Sequence, residues 1–322
     1  MPHLLLMATL RRKGKIVEHQ KEKRKGRLRR LLYSKKIAPY LFLLPFIIST
    51  LVFFAYPIID TFLMSFEKVV NLNKSYFIGL KNYSRLLNQH FFNALKTSTI
   101  YTLCMVVIML IIPITLATLL NSKMLKFKNF FRSVIFIPAL VSTISAGIAF
   151  RLIYGDTEIG FVNSILIKLG AQPVQWKIGY ASGIFIMVVL ASWREMGINM
   201  VYCLSALQSI PQELYESAEV DGANNLQKFK SVTIPMVRPI IVYILTLTII
   251  NGYRMFTEGY VYWNETNPGD NGLTIVRYIY NMAFQKNDMG LGSAIGVVLL
   301  GILLVVNLIQ LKAFGMFDKE ER

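Results

Sequence analysis

Long apolar stretches constrain this chain more than any other feature of its sequence. A helix needs about 20 consecutive apolar residues to cross a bilayer, and six stretches meet that requirement: residues 37–66, 93–120, 130–154, 180–204, 238–261 and 291–314. Inside a bilayer each segment must satisfy its own backbone hydrogen bonds, which favours helices in segments of this length. With 54% hydrophobic residues overall, the chain is predicted to be an all-α, polytopic membrane protein with six transmembrane helices.

Basic residues predict how these helices are oriented. Thirteen Lys and Arg residues lie within residues 11–36 against two acidic residues, and residues 121–132 carry four basic residues and no acid. Lys and Arg are retained on the cytoplasmic side of a membrane. We therefore predict a basic cytoplasmic tail (1–36), a transmembrane domain (37–315) and a cytoplasmic C-terminal tail (316–322). A nucleic-acid-binding role for the basic tail is less favoured, because an apolar span follows it directly.

Cysteine and histidine do not form a recognisable site in the sequence. Cys104 and Cys203 both fall inside apolar segments, where they are interpreted as packing residues. The histidines are scattered at His3, His19 and His90. The sequence thus predicts neither a disulfide framework nor a metal site.

A polar insert, residues 205–239, separates the fourth and fifth spans and is cytoplasmic by parity. Pro211 suits the first position of a helix. Four acidic residues follow in positions that complement a helix N-terminus: Glu213, Glu216, Glu219 and Asp221. Gly222 permits a sharp turn, Pro235 is predicted to end a second short helix, and Pro239 to start the next span. These features alone fit either an ordinary amphipathic loop or a docking element.

The insert resembles the EAA loop of permease subunits of ABC importers. The pattern E-S-A-x-x-x-D-G-A followed by F-x-x-V-x-I-P carries the likeness, through Glu216, Ala218, Asp221, Gly222, Ala223, Phe229, Val232, Ile234 and Pro235. The segments FIGLKNYSRLL, FRSVIFIPALVS and NPGDNGLTIVRYIYNMAFQKNDMGLGSAIGVVL extend it over residues 37–315. Over this length the chain is similar to the larger permease of maltose-type sugar importers.

This resemblance implies a type I ABC importer fold in a bacterial cell membrane, with both termini cytoplasmic. It implies that Glu216 pairs with a basic residue of an ATPase subunit and that Gly222 lets the coupling helix lie flat. The implied partners are an ABC ATPase dimer, a second permease subunit, an extracytoplasmic solute-binding protein and the lipid bilayer, with no nucleic acid. The chain lacks a Gly-x4-Gly-Lys-Ser/Thr motif. It is therefore expected to be a transport subunit without a cofactor, and ATP and Mg²⁺ are bound by the ATPase.

Polar residues in the fourth and fifth spans are candidates for substrate binding, because charge inside a membrane is costly. They are Trp193, Arg194, Glu195 and Asn199 on one span, and Asn251, Tyr253 and Arg254 on the next. Arg194 lies roughly 21 Å into its span and Asn251 roughly 20 Å into the other, at 1.5 Å per residue. Aromatic rings and hydrogen-bonding groups at mid-membrane suit a sugar, and the resemblance places the sugar site on the same two spans.

Two questions stay open at this level. The charged residues fit a structural ion pair as well as a substrate site, either Glu195 with Arg254 or Arg194 with Glu258. Glu195 also departs from the family pattern, and Arg194 and Arg254 suit glycerol-phosphate or another polar solute. In other classes of protein, a self-sufficient secondary transporter is disfavoured by the absence of an internal repeat. A membrane enzyme is disfavoured because no nucleophile–base pair or metal cluster is evident.

Overall fold

The computed structural model describes residues 35–36, 38–71, 74–122, 124–263 and 268–316. Most of the basic tail predicted for residues 1–36, and all but the first residue of the tail predicted for 316–322, lie outside the described residues. Within the described part the chain is mostly helical, with one two-stranded hairpin, which confirms the predicted all-α class.

Thr61 closes the first of two compact units. Helix α1, Ala38–Met64, includes a π-helical segment at Leu51–Ala55. The backbone N–H of Tyr56 reaches back to the Leu51 carbonyl, and Pro57 follows at once. A π-turn widens the ladder where proline offers no N–H, so α1 continues through Pro57.

The second unit begins with a segment that was predicted as a loop with a short helix. The helix is present as α2, Lys81–Leu86. A hairpin of β1, Glu67–Asn71, and β2, Lys74–Phe77, precedes it and was not foreseen. The buried Asn82 amide donates to the carbonyls of Ser65 and Glu67, at 3.0 and 2.9 Å. This side chain therefore holds α2 against the first strand.

Helix α3, Gln89–Asn121, is the second predicted span. The Asn88 side chain caps it by accepting from the N–H of Phe91 at 3.0 Å. Tyr101, Met105 and Met109 recur every four residues, so they share one face. All three are buried in one apolar cluster with residues of the fourth span. This face builds the core of the second unit.

The third span is broken, whereas the sequence predicted one helix over residues 130–154. Helices α4, Lys128–Leu140, and α5, Thr143–Ile153, meet at 96°. Pro138 lies in a final 3₁₀ turn, and Val141 and Ser142 are extended, with ψ of 131° and 136°. Ile137, directly before Pro138, stays helical with φ −49° and ψ −42°, so the chain leaves the helix only after Leu140. Pro138 offers no N–H to the helical ladder, and the last turn before the break is 3₁₀ rather than α-helical. Helices α4 and α5 are long and apolar enough to cross a membrane only when the two are taken together as one span.

A compact segment, residues 155–179, joins the third span to the fourth, and it is called the outer segment because the distribution of Lys and Arg predicts it on the extracytoplasmic side. It contains α6, Phe161–Lys168, and is organised by the fully buried Asn163. Its amide donates to the carbonyls of Gly155 and Val174 at 3.0 Å, and its oxygen accepts from the Trp176 indole at 2.9 Å. One side chain thus satisfies a turn that would otherwise leave polar groups unpaired.

Helix α7, Tyr180–Gln208, is the central helix of the second unit. In its most apolar stretch 56% of residues are buried, compared with 33% for α3. It packs against α3, against the arms of the broken third span and against the fifth span. Residues on α7 therefore face several helices at once.

The fifth span is displaced from its predicted limits of 238–261. After the short helix α8, Gln212–Val220, helix α9 runs from Asn225 to Tyr253 and includes a π-helical segment at Phe229–Thr233. Pro235 therefore does not end a helix, because it follows a π-turn just as Pro57 does. At its other end, helix α9 stops at Tyr253. The Thr274 hydroxyl donates a hydrogen bond to the carbonyl of Met255, just beyond this end, at 2.8 Å.

The remaining elements complete the predicted topology. They are α10, Thr257–Trp263; a 3₁₀ turn, Pro268–Asp270; α11, Ile275–Tyr280, continued by a π-turn at Asn281–Gln285; and α12, Met289–Ala313. Among the described residues, five helices are long and apolar enough to cross a membrane, and the bent pair α4–α5 would be a sixth. This agrees with the predicted number of spans.

Candidate functional site

Four of the seven predicted substrate residues meet at one cavity. Arg194, Glu195 and Asn199 on α7 and Asn251 on α9 line a space of about 220 Å³. The other lining residues are Ala139, Ile198, Tyr202, Leu247 and Thr248. The cavity is thus bounded by α7, α9 and the end of α4.

Helical periodicity could have identified most of the lining residues that the sequence reading missed. Ile198, Asn199 and Tyr202 follow Glu195 by three, four and seven residues, which is the spacing of one helix face. On α9, Leu247 and Thr248 precede Asn251 by four and three residues. Ala139 carries no such signal, because it comes from the unforeseen bend.

The other three predicted residues do not line this cavity. The Trp193 ring, 38% exposed, packs against Phe150 with centroids 5.8 Å apart. The buried Tyr253 shares a hydrogen bond of 3.0 Å with the Thr99 hydroxyl. Arg254 is exposed just beyond the end of α9. Each residue turns a helix by about 100°, so Trp193 points away from Arg194, and Tyr253 lies nearly opposite Asn251.

Arg194 forms one of the two ion pairs considered from the sequence. Its Nη1 lies 3.3 Å from Glu258 Oε1, and its Nε donates to the Val141 carbonyl at 3.3 Å. The Val141 carbonyl lies at the break between α4 and α5, so Arg194 ties α7 to that break and to α10. The alternative pair, Glu195 with Arg254, does not form among the described residues.

Glu195 and its neighbours supply uncommitted polar groups to the cavity. No hydrogen bond or ion pair engages the Glu195 carboxyl within the described part of the chain. The Asn199 amide donates to the Glu195 backbone carbonyl at 3.2 Å, which fixes that side chain. The cavity therefore combines a paired cation, an unpaired carboxyl and neutral polar groups.

A second polar cavity of about 200 Å³ lies near the start of α3 and α7. Asn93, Lys96, Tyr180, Gly269, Asp270 and Asn271 line it. Asp270 contacts His90 Nδ1 at 2.7 Å and the Asn93 amide at 3.1 Å. His90, for which the sequence predicted no site, thus contacts a residue that lies 180 positions later in the chain.

The polar insert, residues 205–239, which the resemblance predicts to be a coupling loop, contains α8 and turns at Gly222. Pro211 caps α8 rather than occupying its first turn. Gly222 has φ +78°; its N–H donates to the Glu219 carbonyl at 3.0 Å, and the N–H of Ala223 donates to the Ala218 carbonyl at 2.9 Å. These two bonds form a Schellman motif. The turn predicted at Gly222 is confirmed.

Two side-chain contacts fasten α8 to the start of α9. The hydroxyls of Tyr215 and Thr233 share a hydrogen bond of 2.9 Å, and Lys228 Nζ donates to Glu219 Oε1 at 2.6 Å. The hydrogen bond and charge of Lys228 lower the pKa of Glu219. Asn224 and Gln227 begin α9 with a reciprocal capping box. Side-chain contacts therefore hold α8 against α9, in addition to the backbone that connects the two helices.

The face of α8 that points away from the rest of the protein is exposed. Glu216 is exposed, Leu214 is 40% exposed and Val220 is 88% exposed. By contrast Phe229 packs against the apolar core, while Pro235 is exposed on α9. Of the other residues in the motif, Asp221 is exposed and Ala218 and Ala223 are half-buried. An acidic side chain flanked by apolar ones is thus presented outward.

Comparison with known proteins places this architecture in a family. Residues 110–312 match the family described as "Binding-protein-dependent transport system inner membrane component". The arabinooligosaccharides transport system permease protein AraP of Bacillus subtilis is 52% identical, over 91% of this chain and 93% of that protein. The trehalose/maltose permease MalF of Thermococcus litoralis is 31% identical, over 90% and 98%.

A solved structure gives the same result for the fold. In the crystal structure of a bacterial ABC transporter that imports the acidic polysaccharide alginate, one chain superposes with a TM-score of 0.78. The match covers 91% of this chain and all of that chain, at 24% sequence identity. The chain belongs to the family of binding-protein-dependent transport system inner membrane components and is a multi-pass permease subunit of ABC importer type.

Proposed function

We propose that this chain is one of two permease subunits of an ATP-driven importer that moves an oligosaccharide into the cytoplasm by alternating access. The relatives named for arabinooligosaccharide transport, at 52% and 46% identity, favour short arabinose oligomers as the substrate. The proposed location is a bacterial cell membrane with both termini cytoplasmic. This orientation rests on the distribution of Lys and Arg.

One observation carries the proposal: α7 and α9, which contribute all the lining residues of the cavity except Ala139, are the two helices that the exposed helix α8 joins. Asn199 on α7 and Asn251 on α9 face the same space, while α8 lies between the end of α7 and the start of α9. Movement imposed on α8 would reach both walls of the cavity with little intervening chain. Such coupling of a docking element to a site is what alternating access requires.

The cavity's chemistry supports a saccharide. Asn199, Asn251 and Thr248 offer amide and hydroxyl groups that match sugar hydroxyls, and Tyr202 adds an aromatic ring. Trp193, Tyr253 and Arg254 are not assigned to this site, because they face elsewhere. The solute-binding protein is proposed to deliver the sugar from the extracytoplasmic side.

The proposed motor contact is α8 in a cleft of an ABC ATPase that also binds ATP and Mg²⁺. Glu216 would pair with a basic residue there, and the exposed Leu214 and Val220 would fill an apolar cleft. Two ATPase subunits and a second permease complete the complex. The chain itself catalyses no reaction in this scheme.

Replacing Glu216 with Lys tests the coupling assignment. We expect the E216K complex to lose at least about 90% of ATP-dependent uptake of arabinotriose into proteoliposomes, because the substitution places a cation against a basic partner. The ATPase should also co-purify less well. The matched control is E158K, the same charge change at an exposed residue of the outer segment.

Normal uptake by E216K would refute the coupling assignment. Uptake that needs an ion gradient and no ATP would instead support a secondary transporter.

A further inference from the structure

We propose that the cavity between α7 and α9 selects neutral saccharides over those that carry a carboxylate, and that Glu195 and Glu258 set this selectivity. The inference rests on the proposed function, since it assigns a substrate class to the same cavity. It concerns the charge balance of the site, which the sequence left open between a neutral and an anionic solute.

The cavity has a single cationic lining residue, and that residue is already paired. Among the lining residues only Arg194 carries a positive charge. Its guanidinium is within 3.3 Å of Glu258, and the side chains of Arg194 and Glu258 are 18% and 16% exposed. At such burial the two charges largely compensate each other. Arg194 therefore does not act as a free anion receptor.

Glu195 adds a second carboxyl group to the site without a matching cation. It lines the cavity beside Arg194, and no cation within the described part of the chain pairs with it. Arg254, the other cation considered for an anionic solute, is outside the cavity. Arg194, Glu195 and Glu258 together contribute one guanidinium and two carboxyl groups, so a substrate carboxylate would meet no unpaired cation in the cavity and would lie beside a further carboxyl group.

Neutral hydroxyls fit the same groups without this cost. A carboxylate accepts hydrogen bonds through two oxygens, so Glu195 can accept from sugar O–H groups. Arg194 uses one N–H toward Glu258 and another toward Val141, which leaves further N–H groups of its five able to donate to a sugar oxygen. A site that rejects one solute class by an unfavourable charge achieves specificity by repulsion.

Direct binding measurements test the inference. The importer complex, with its ATPase pair and second permease, is placed in lipid nanodiscs without the solute-binding protein, because that protein selects substrate independently. The probes are tritiated arabinotriose and arabinotriose oxidised to a carboxylate at C5 of its non-reducing residue. The two probes differ only in that group.

We expect the wild-type complex to bind the oxidised probe at least about tenfold more weakly than arabinotriose, as like-charge repulsion in a partly buried site implies. E195Q keeps the shape of the side chain and should narrow this difference to about threefold or less. E258Q should narrow it at least as far, since it also frees Arg194. E158Q removes an exposed carboxylate elsewhere and should leave the difference unchanged.

Two results would contradict the idea in distinguishable ways. If E195Q and E258Q both preserve the wild-type difference between the probes, charge selection by these residues is wrong, and the oligosaccharide site itself stands. If the wild-type complex binds neither probe, or if N251A binds arabinotriose as tightly as the wild type, the cavity is not the sugar site and the proposed function of the cavity fails.

Discussion

At the scale of single residues, Gly222 has a conformation that the sequence predicted and that a substitution can test. Its φ of +78° is costly for most residues with a Cβ, although nothing lies within 4 Å of the position a Cβ would take. We expect G222A to reduce stability by about 1 kcal/mol through backbone strain alone. Because the strain falls in the coupling loop, uptake per ATP hydrolysed should fall as well.

Gly170 provides a matched control for this substitution. It has φ +81° and equally open surroundings, but it lies in the outer segment. G170A should therefore lower the melting temperature of the complex as much as G222A and leave the transport-to-ATPase ratio unchanged. G222N should preserve the ratio, since Asn tolerates this conformation. Equal ratios for G222A and the wild type would show that the shape of this turn does not matter for coupling.

Single residues also show where sequence reasoning reached its limit. Polarity and depth singled out Arg194, Glu195, Asn199 and Asn251, and these four line one cavity. Neither property identified the direction of each side chain, and Tyr253 was included although it lies on the opposite face of α9. Direction follows from helix phase, which was available at 3.6 residues per turn. The choice between the two ion pairs depended on α10, which no sequence pattern places next to α7.

At the scale of elements, Arg194 of α7 connects the broken third span to α10. One side chain satisfies a carbonyl at the α4–α5 break and neutralises Glu258 on α10. We expect R194L to destabilise the protein by about 3 kcal/mol, because it leaves a carboxylate unpaired in a largely buried position. A detergent-solubilised sample should melt several degrees lower than the wild type.

Arg151 is the control for this loss of a cation. It is exposed on α5 and forms no hydrogen bond or ion pair within the described part of the chain, so R151L should melt like the wild type. The double variant R194L/E258Q should recover much of the loss if the unpaired carboxylate is its cause. A melting temperature that R194L leaves unaltered would mean that the pair stabilises nothing.

The elements themselves were predicted unevenly, and prolines explain why. Apolar length identified every span, including the broken one. The reading of Pro235 as a helix end was wrong, since a π-turn at Phe229–Thr233 lets α9 pass it. The prediction of one continuous helix over residues 130–154 was also wrong, because the first helix ends at Leu140, two residues after Pro138. A helix continues through a proline when a π-turn precedes it, as at Pro235, and it ends at Leu140 where Pro138 lies in a 3₁₀ turn. The presence of proline alone does not predict which of these occurs.

At the scale of the whole molecule, α9 forms one continuous helix from the coupling loop to the cavity. Thr233, which bonds to Tyr215 of α8, lies fifteen residues before Thr248 of the cavity wall, a separation of about 22 Å along a helix. Movement of α8 can therefore reach the cavity through this hydrogen bond as well as through the backbone at Gly222. The apolar pattern and the polar insert predicted the two ends of this path, and the fold supplies the connection.

Removing the Tyr215 hydroxyl tests this path. Y215F should cost about 1 kcal/mol of stability, the usual value of one hydrogen bond. It should also raise the ATP consumed per arabinotriose imported, by about two- to fivefold if the bond carries part of the force. Y83F is the matched control, because Tyr83 shares a hydroxyl–hydroxyl bond of 2.7 Å with Ser65, outside the loop. That variant should lose similar stability with no change in ATP consumption. If both variants keep the wild-type stoichiometry, force reaches the cavity through the backbone alone, and the Tyr215–Thr233 contact only stabilises the loop.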